Sequence, residues 1–186
     1  FSLLIWEQAT VFEVYSLHFV LINLSLYYFL KGVYNKETIK FNMVISALLI
    51  GLSFSNHLTT ILIIPAVIFL YFKRPGEKFN FSYPNLLNSF ILLIFVLIGV
   101  SLYIFLPVRS LAEPDFNWGV VHRGFDKFMY HIQGKQYQIW MFSGIDVAIE
   151  NFGNFLKSLP FNLGFIGLIA IFAGIYKLRK SYFEIF

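Results

Sequence analysis

Apolar residues in this chain run in long blocks, and the polar residues between them are bunched. The first block, about residues 11–30, is long enough to cross roughly 30 Å of hydrocarbon as a helix. The second covers 41–72, too long for one ordinary span, and it is interrupted at GLSFSNHLTT, residues 51–60. Gly51, Ser53, Ser55 and Asn56 disfavour a continuous helix there, and Ser55 or Asn56 suits the cap of a new one. The block therefore reads as a hairpin of two short helices, about 41–54 and 57–72, with Asn56 and His57 at the turn. A fourth span is expected over 86–106, stopped by Pro107. A fifth covers 161–178. The fold class is all-α: a transmembrane helical bundle of about five spans, a single transmembrane domain over 1–186.

The segment 107–160 is a polar island. Within it Phe125, Phe128, Met129 and Ile132 recur at helical spacing before Gly134, and Ala148, Phe152, Phe155, Leu156 and Leu159 do the same further on. Both stretches read as amphipathic helices at the membrane surface. In the first span Glu13, Ser16 and Asn23 share one helical face. That face is expected to point into the bundle, because polar groups in lipid are costly.

Composition sharpens the membrane reading. Of 186 residues 58% are hydrophobic and only 13% charged, well below the quarter usual in soluble domains. The net charge of +4 is arranged beside apolar runs, which points to membrane sidedness and away from nucleic acid. Cysteine is absent, so disulfides and thiolate metal sites are excluded. The chain begins at Phe1 with no signal-peptide pattern, and it is expected to be a piece of a longer protein or a processed one.

Charge also sets the topology. With the hairpin, Lys31, Lys36 and Lys40, then Lys73, Arg74 and Lys78, then Lys177, Arg179 and Lys180 fall on one side. That makes nine basic residues against Glu37, Glu77 and Glu184. Residues 107–160 hold five of each sign. Positive charge marks the cytoplasmic side, which puts the polar island outside. Trp6, Glu7, Glu13, Tyr15, Asn56, His57 and Arg109 then gather at the same outer depth.

The chemistry available there is limited but specific. Arg109 has the fork geometry for a phosphate, or it anchors at the interface. Lys135 has the same two readings. His57 is a proton carrier or phosphate donor, or part of a helix cap. Glu13, an acid within a span, is a candidate by position. Asn117 and Trp118 offer an amide and an aromatic surface to a sugar, or form an interfacial turn. His18 reads as structural. His122 and His131 lack metal-ligand spacing, and no phosphate-binding glycine loop is present.

Five stretches, WEQATVFEVYSLH (6–18), GLSFSNHLTT (51–60), LPVRS (106–110), NWG (117–119) and HIQGKQYQIW (131–140), resemble in order and spacing a bacterial family of membrane proteins. That family is related to the transmembrane O-mannosyltransferase of the eukaryotic endoplasmic reticulum. The resemblance implies a GT-C-type glycosyltransferase with an outward-facing site and a polyprenyl-phosphate sugar as donor substrate. Neither a further cofactor nor a metal is implied. It makes Glu13, Tyr15, Asn56, His57, Arg109, Asn117, Trp118, Lys135, Gln136 and Tyr137 the substrate-binding candidates. The family's acidic motif lies before the segment that starts here, so the catalytic carboxylate is expected upstream and this piece is expected to be inactive alone.

The expected activity is transfer of a sugar, mannose in the first instance, from the lipid-linked donor to an exported protein or glycan. The expected setting is the bilayer of a bacterial inner membrane, with the site facing the periplasm or exterior. The alternative is a transporter or flippase of a lipid-linked anion, a class in which broken helices frame the site near the midplane.

Overall fold

The computed structural model describes residues 6, 10, 14–35, 37–74, 77–113, 124–135 and 144–178. The chain divides into two compact units, residues 1–16 with 139–186, and residues 17–138. Among the described residues the regular structure is helical throughout. Four helices, Tyr15–Tyr34, Ile39–Asn56, Tyr83–Leu111 and Ile145–Lys177, are long and apolar enough to cross a membrane, and Leu58–Phe72 is a shorter apolar helix. The protein is a multi-pass membrane protein built as an all-α helical bundle.

In the unit 17–138 the core helices are α1 (Tyr15–Tyr34), α2 (Ile39–Asn56), α3 (Ile64–Phe72) and α4 (Tyr83–Val100). Helix α1 runs antiparallel to α2. Ser53 meets His18, Ser46 Oγ donates to the Ser25 carbonyl at 2.9 Å, and Gly32 lies against Asn42 and Met43. The buried stripe of α1 is thus His18, Ser25, Phe29, Gly32 and Val33. This corrects the expected inward face through Ser16 and Asn23, both of which are exposed. Asn23 Nδ2 donates to the Phe19 carbonyl at 2.7 Å. It satisfies itself on its own helix and requires no neighbour.

The chain leaves α2 at His57, takes a 3-10 turn over Leu58–Ile63, and returns as α3. Tyr71, near the end of α3, packs with Met43 near the start of α2 and with Phe29 and Val33 of α1. Tyr71 Oη also donates to the Asn85 carbonyl, which places the start of α4 at that same end. Helix α4 therefore runs parallel to α2. The two cross where Gly51 faces Gly99: a Cβ on Gly51 would stand 2.1 Å from the Val96 carbonyl oxygen, and one on Gly99 would stand 2.6 Å from the Leu52 nitrogen. Only hydrogen side chains permit this approach. In lipid, close backbone contact replaces the hydrophobic drive that joins helices in water.

Pro107 does not stop the fourth span. Helix α4 tightens into a 3-10 turn, Ser101–Ile104, and resumes as α5 (Phe105–Leu111). Pro107 is the third residue of that new helix, where its missing N–H removes no intrahelical bond. Farther on, α6 (Phe125–Ile132) is followed by Gly134 at φ 60°.

The other unit contains α7, Ile145–Leu178, with Pro160 inside it and non-helical Gly164 at φ 66°, ψ 160°. The amphipathic stretch from Ala148 and the last apolar stretch form one element with a break at Gly164. The helix carries through Pro160 before Gly164 lets it turn.

Candidate functional site

At one end of the unit 17–138 lie the start of α1, the end of α2, the 3-10 turn after His57, and the α4–α5 junction. The opposite end carries Lys31 in the last turn of α1, Lys40 at the start of α2, and Lys73 just beyond α3. The bundle is therefore polarised. Lys31, Lys40 and Lys73 lie at one end, and the hydroxyls and imidazoles of the His57 turn lie at the other.

The local cause is the ending of α2. Its last carbonyls have no helical partners. His57 N–H closes on the Ser53 carbonyl at 2.9 Å, and Tyr103 Oη donates to the Phe54 carbonyl at 3.2 Å. The new turn is capped by His57 itself, whose Nδ1 accepts from Thr59 N–H at 3.3 Å. His57, and neither Ser55 nor Asn56, takes the expected cap position. Ser55 Oγ donates to the Gly99 carbonyl at 3.0 Å, just where α4 gives way to its 3-10 turn.

Behind this turn sits a buried polar chain. Ser53 and Thr60 are fully buried and His18 nearly so. Thr60 Oγ1 donates to the His57 carbonyl at 2.9 Å, and Ser53 Oγ lies 2.9 Å from Thr60 Oγ1. Ser53 Oγ is 3.2 Å from His18 Nδ1. His18 Nε2 lies 2.9 Å from Thr59 Oγ1, which is 2.8 Å from His57 Nδ1. The two imidazole rings are 5.0 Å apart, tilted by 41°. An unpartnered polar atom at the depth of Ser53, Thr60 or His18 would cost about 1–3 kcal/mol, whereas His57 is half-buried and Thr59 exposed at the outer edge of the chain of contacts.

Beside the network is a pocket of about 370 Å³. Leu17 and Leu21 of α1, Leu52, Ser55 and Asn56 of α2, and Leu102, Tyr103 and Leu106 line it. Its volume falls within the range of about 300–1,000 Å³ usual for small-ligand sites, and its walls are apolar with few polar groups, the usual pattern. Arg109 is exposed three residues beyond Leu106 on α5, hence on a neighbouring position of the same helix face. The Tyr103 ring meets His131 of α6 edge-on at 6.3 Å between centroids, and α6 leads to exposed Lys135.

The structure thus gathers Asn56, His57 and Arg109 at one end of one unit, and brings α6, which leads to Lys135, to the same edge. Tyr15 belongs to the other unit, exposed at the first position of α1. Glu13, Asn117, Trp118, Gln136 and Tyr137 lie outside the described residues. Sequence reasoning missed Ser53, Thr59, Thr60 and Tyr103 as parts of the site. The run of hydroxyls in GLSFSNHLTT was the available signal. Tyr103, one aromatic in an apolar span, gave none. His18, read as structural, is the buried node of the network.

Residues 1–80 match a family model described as the Protein O-mannosyl-transferase TMEM260 N-terminal domain. The match includes α1, α2, α3 and the whole hydroxyl–imidazole network, and it ends before Tyr103, Arg109 and Lys135. No curated protein and no solved structure matches the chain.

Proposed function

We propose that this chain is the membrane-embedded part of a glycosyltransferase of the GT-C type. In this reading it moves a sugar, mannose in the first instance, from a polyprenyl phosphate to a hydroxyl of an exported protein or glycan. The observation that carries the reading is the coincidence of the family match over residues 1–80 with a pocket beside the hydroxyl–imidazole network, at the end of the unit opposite Lys31, Lys40 and Lys73. The cationic end is taken as cytoplasmic by the positive-inside tendency, which makes the pocket outward-facing. The inner membrane of a bacterium, with the pocket toward the periplasm, is the setting.

In the proposed reaction a carboxylate from upstream of this segment removes the proton of the acceptor hydroxyl. The apolar walls of the pocket, Leu17, Leu21, Leu102 and Leu106, receive the first isoprene units of the donor. Arg109 and Lys135 hold the phosphate as it leaves with its developing charge. Asn56, with one carbonyl and one amide group on its side chain, meets sugar hydroxyls.

The test uses the full-length protein in vesicles, with radiolabelled polyprenyl-phosphate mannose and an exported-protein extract. Label should move to protein or glycan, and Arg109→Ala should reduce turnover at least tenfold with expression intact. Label that crosses the bilayer without transfer would establish a transporter instead. Unchanged turnover in Arg109→Ala would remove that residue from the site.

A further inference from the structure

A second cavity in the unit 17–138 has a volume of about 580 Å³. Its floor is the α2 stripe Met43, Ala47, Ile50 and Phe54, with Phe29 of α1 beside it. Helix α3 forms one wall through Ile64, Val67, Ile68 and Tyr71, and α4 forms the other through Ser89, Leu93, Val96 and Val100. Phe29, Met43 and Tyr71 are buried at its base, whereas Ile68, Leu93 and Leu97 stand exposed along the rim. The cavity is thus a groove that opens to the surrounding bilayer between α3 and α4.

Three of its lining residues have hydroxyls, and all three turn their protons elsewhere. Ser46 Oγ donates to the Ser25 carbonyl, Tyr71 Oη to the Asn85 carbonyl and Ser89 Oγ to the Leu86 carbonyl. Water or a sugar would find too few partners here, while hydrocarbon needs none. From Met43 to Phe54 the floor runs about 16 Å. That is close to the hydrocarbon depth of one leaflet, half of roughly 30 Å.

No charged residue lines the groove, and cations stand just beyond its Tyr71 end. Lys40 lies three residues before Met43 and seven before Ala47, at the edge of the same helical face. Arg74 follows the end of α3, and its guanidinium is near enough to Tyr71 to act on that hydroxyl electrostatically. The segment that carries Arg74 is held against α3. Phe81 stacks on Phe72 at 4.8 Å between centroids, Phe79 meets Phe69 at 5.5 Å, and Asn80 N–H donates to the Phe72 carbonyl at 2.8 Å. Among the described residues of this end, Lys31, Lys40, Lys73, Arg74 and Lys78 outnumber Glu37 and Glu77.

We propose that the groove binds an anionic phospholipid from the leaflet on the cationic side, with one acyl chain along α2 and the headgroup at Arg74 and Lys40. The Arg74 fork takes two phosphate oxygens and Lys40 adds a point charge. The chain fills the apolar groove, and the cations select the lipid. This site lies toward the opposite end of the unit from the His57 turn, and it stands whether or not the protein transfers sugar.

The full-length protein, delipidated in mild detergent, is titrated with dioleoyl phosphatidylglycerol and with dioleoyl phosphatidylcholine. Native mass spectra report both the bound lipid and the number of protein copies. A single phosphatidylglycerol should bind at least tenfold more tightly than phosphatidylcholine, since each basic side chain beside an anionic headgroup contributes about fivefold. Arg74→Gln combined with Lys40→Gln should bring the two lipids within about threefold of each other. Lys127→Gln combined with Lys157→Gln removes the same charge elsewhere and should leave the preference intact. Leu93→Trp obstructs the rim and should remove the bound lipid. Ile68→Trp on the facing rim should do the same, so that misfolding of one variant leaves the other to decide. Equal binding of the two lipids by the parent protein would overturn the site, as would a preference that survives loss of Arg74 and Lys40. So would lipid retained in both rim variants. Displacement of phosphatidylglycerol by polyprenyl phosphate would assign the groove to the donor instead, and a paired chain that excludes lipid would make it a surface between copies; either result overturns the proposal.

Discussion

Helices α2 and α7 are both apolar, both contain small residues, and both are long enough to cross a bilayer, yet they have opposite surroundings. Helix α2 has Asn42, Met43, Ser46, Ala47, Ile50, Gly51 and Ser53 buried, a face made mostly of small or polar side chains. Within α7 no part of the membrane-length window is buried, and Phe161, Phe165, Ile166, Ile169 and Phe172 stand exposed. In water the more apolar helix would be inside. In lipid the rule inverts: large apolar side chains are as well placed against lipid tails as against protein, whereas hydroxyls and bare backbone need another helix. Polarity and smallness, rather than greasiness, mark the centre of this bundle.

Glycine substitution tests that contrast most severely. Gly51→Ala puts a methyl 2.1 Å from the Val96 carbonyl oxygen and 2.9 Å from Gly99 Cα, both backbone atoms that cannot swing away. Helices α2 and α4 must part, at a cost on the order of 1–3 kcal/mol or more. The purified protein should lose most of its monodisperse yield after mild heating, and Gly99→Ala should do the same. A Gly51→Ala protein of parental stability would show that the crossing is not as drawn.

Loss of a buried hydroxyl is next. Ser53→Ala leaves His18 Nδ1 and Thr60 Oγ1 without their shared partner, at about 1–3 kcal/mol. Unfolding from detergent micelles followed by tryptophan fluorescence should show the midpoint shifted down. Ser158→Ala on α7 is the control. There the hydroxyl only turns back to the Phe155 carbonyl on an exposed helix, and no shift is expected.

Tyr103→Phe should be milder. It removes one hydrogen bond to the Phe54 carbonyl, about 0.5–1.5 kcal/mol, and keeps the ring against His131. The sharper readout is amide exchange in the last turn of α2, which should speed up while α1 is unchanged. Smallest of all is Gly174→Ala in α7, where an added Cβ meets nothing within 4 Å. A helical glycine replaced by alanine is neutral or gains up to about 1 kcal/mol. If it destabilised as Gly51→Ala does, α7 would have a partner on that face.

The sequence by itself determined that this is an all-α, multi-pass membrane protein, because the length of an apolar run is a local property that the bilayer reads directly. It also determined a break at residues 51–60, because glycine, serine and asparagine weaken a helix wherever they occur. It did not determine which face of a helix is inside. Ser16 and Asn23 share a stripe as polar as the one through His18 and Ser25, and a side chain that bonds its own helix is indistinguishable in sequence from one that bonds a neighbour. Nor did it determine what Pro107 does. That depended on the tightening at Ser101–Ile104, where Ser55 reaches the Gly99 carbonyl from forty-four positions away. The hydroxyls of the site followed the same pattern. Ser53, Thr59 and Thr60 are ordinary residues until the end of α2 brings them against a histidine of another helix. Only tertiary structure decides such a site, because hydrogen bonds form between atoms that are near in space, and the spacing along the chain does not record which atoms those are.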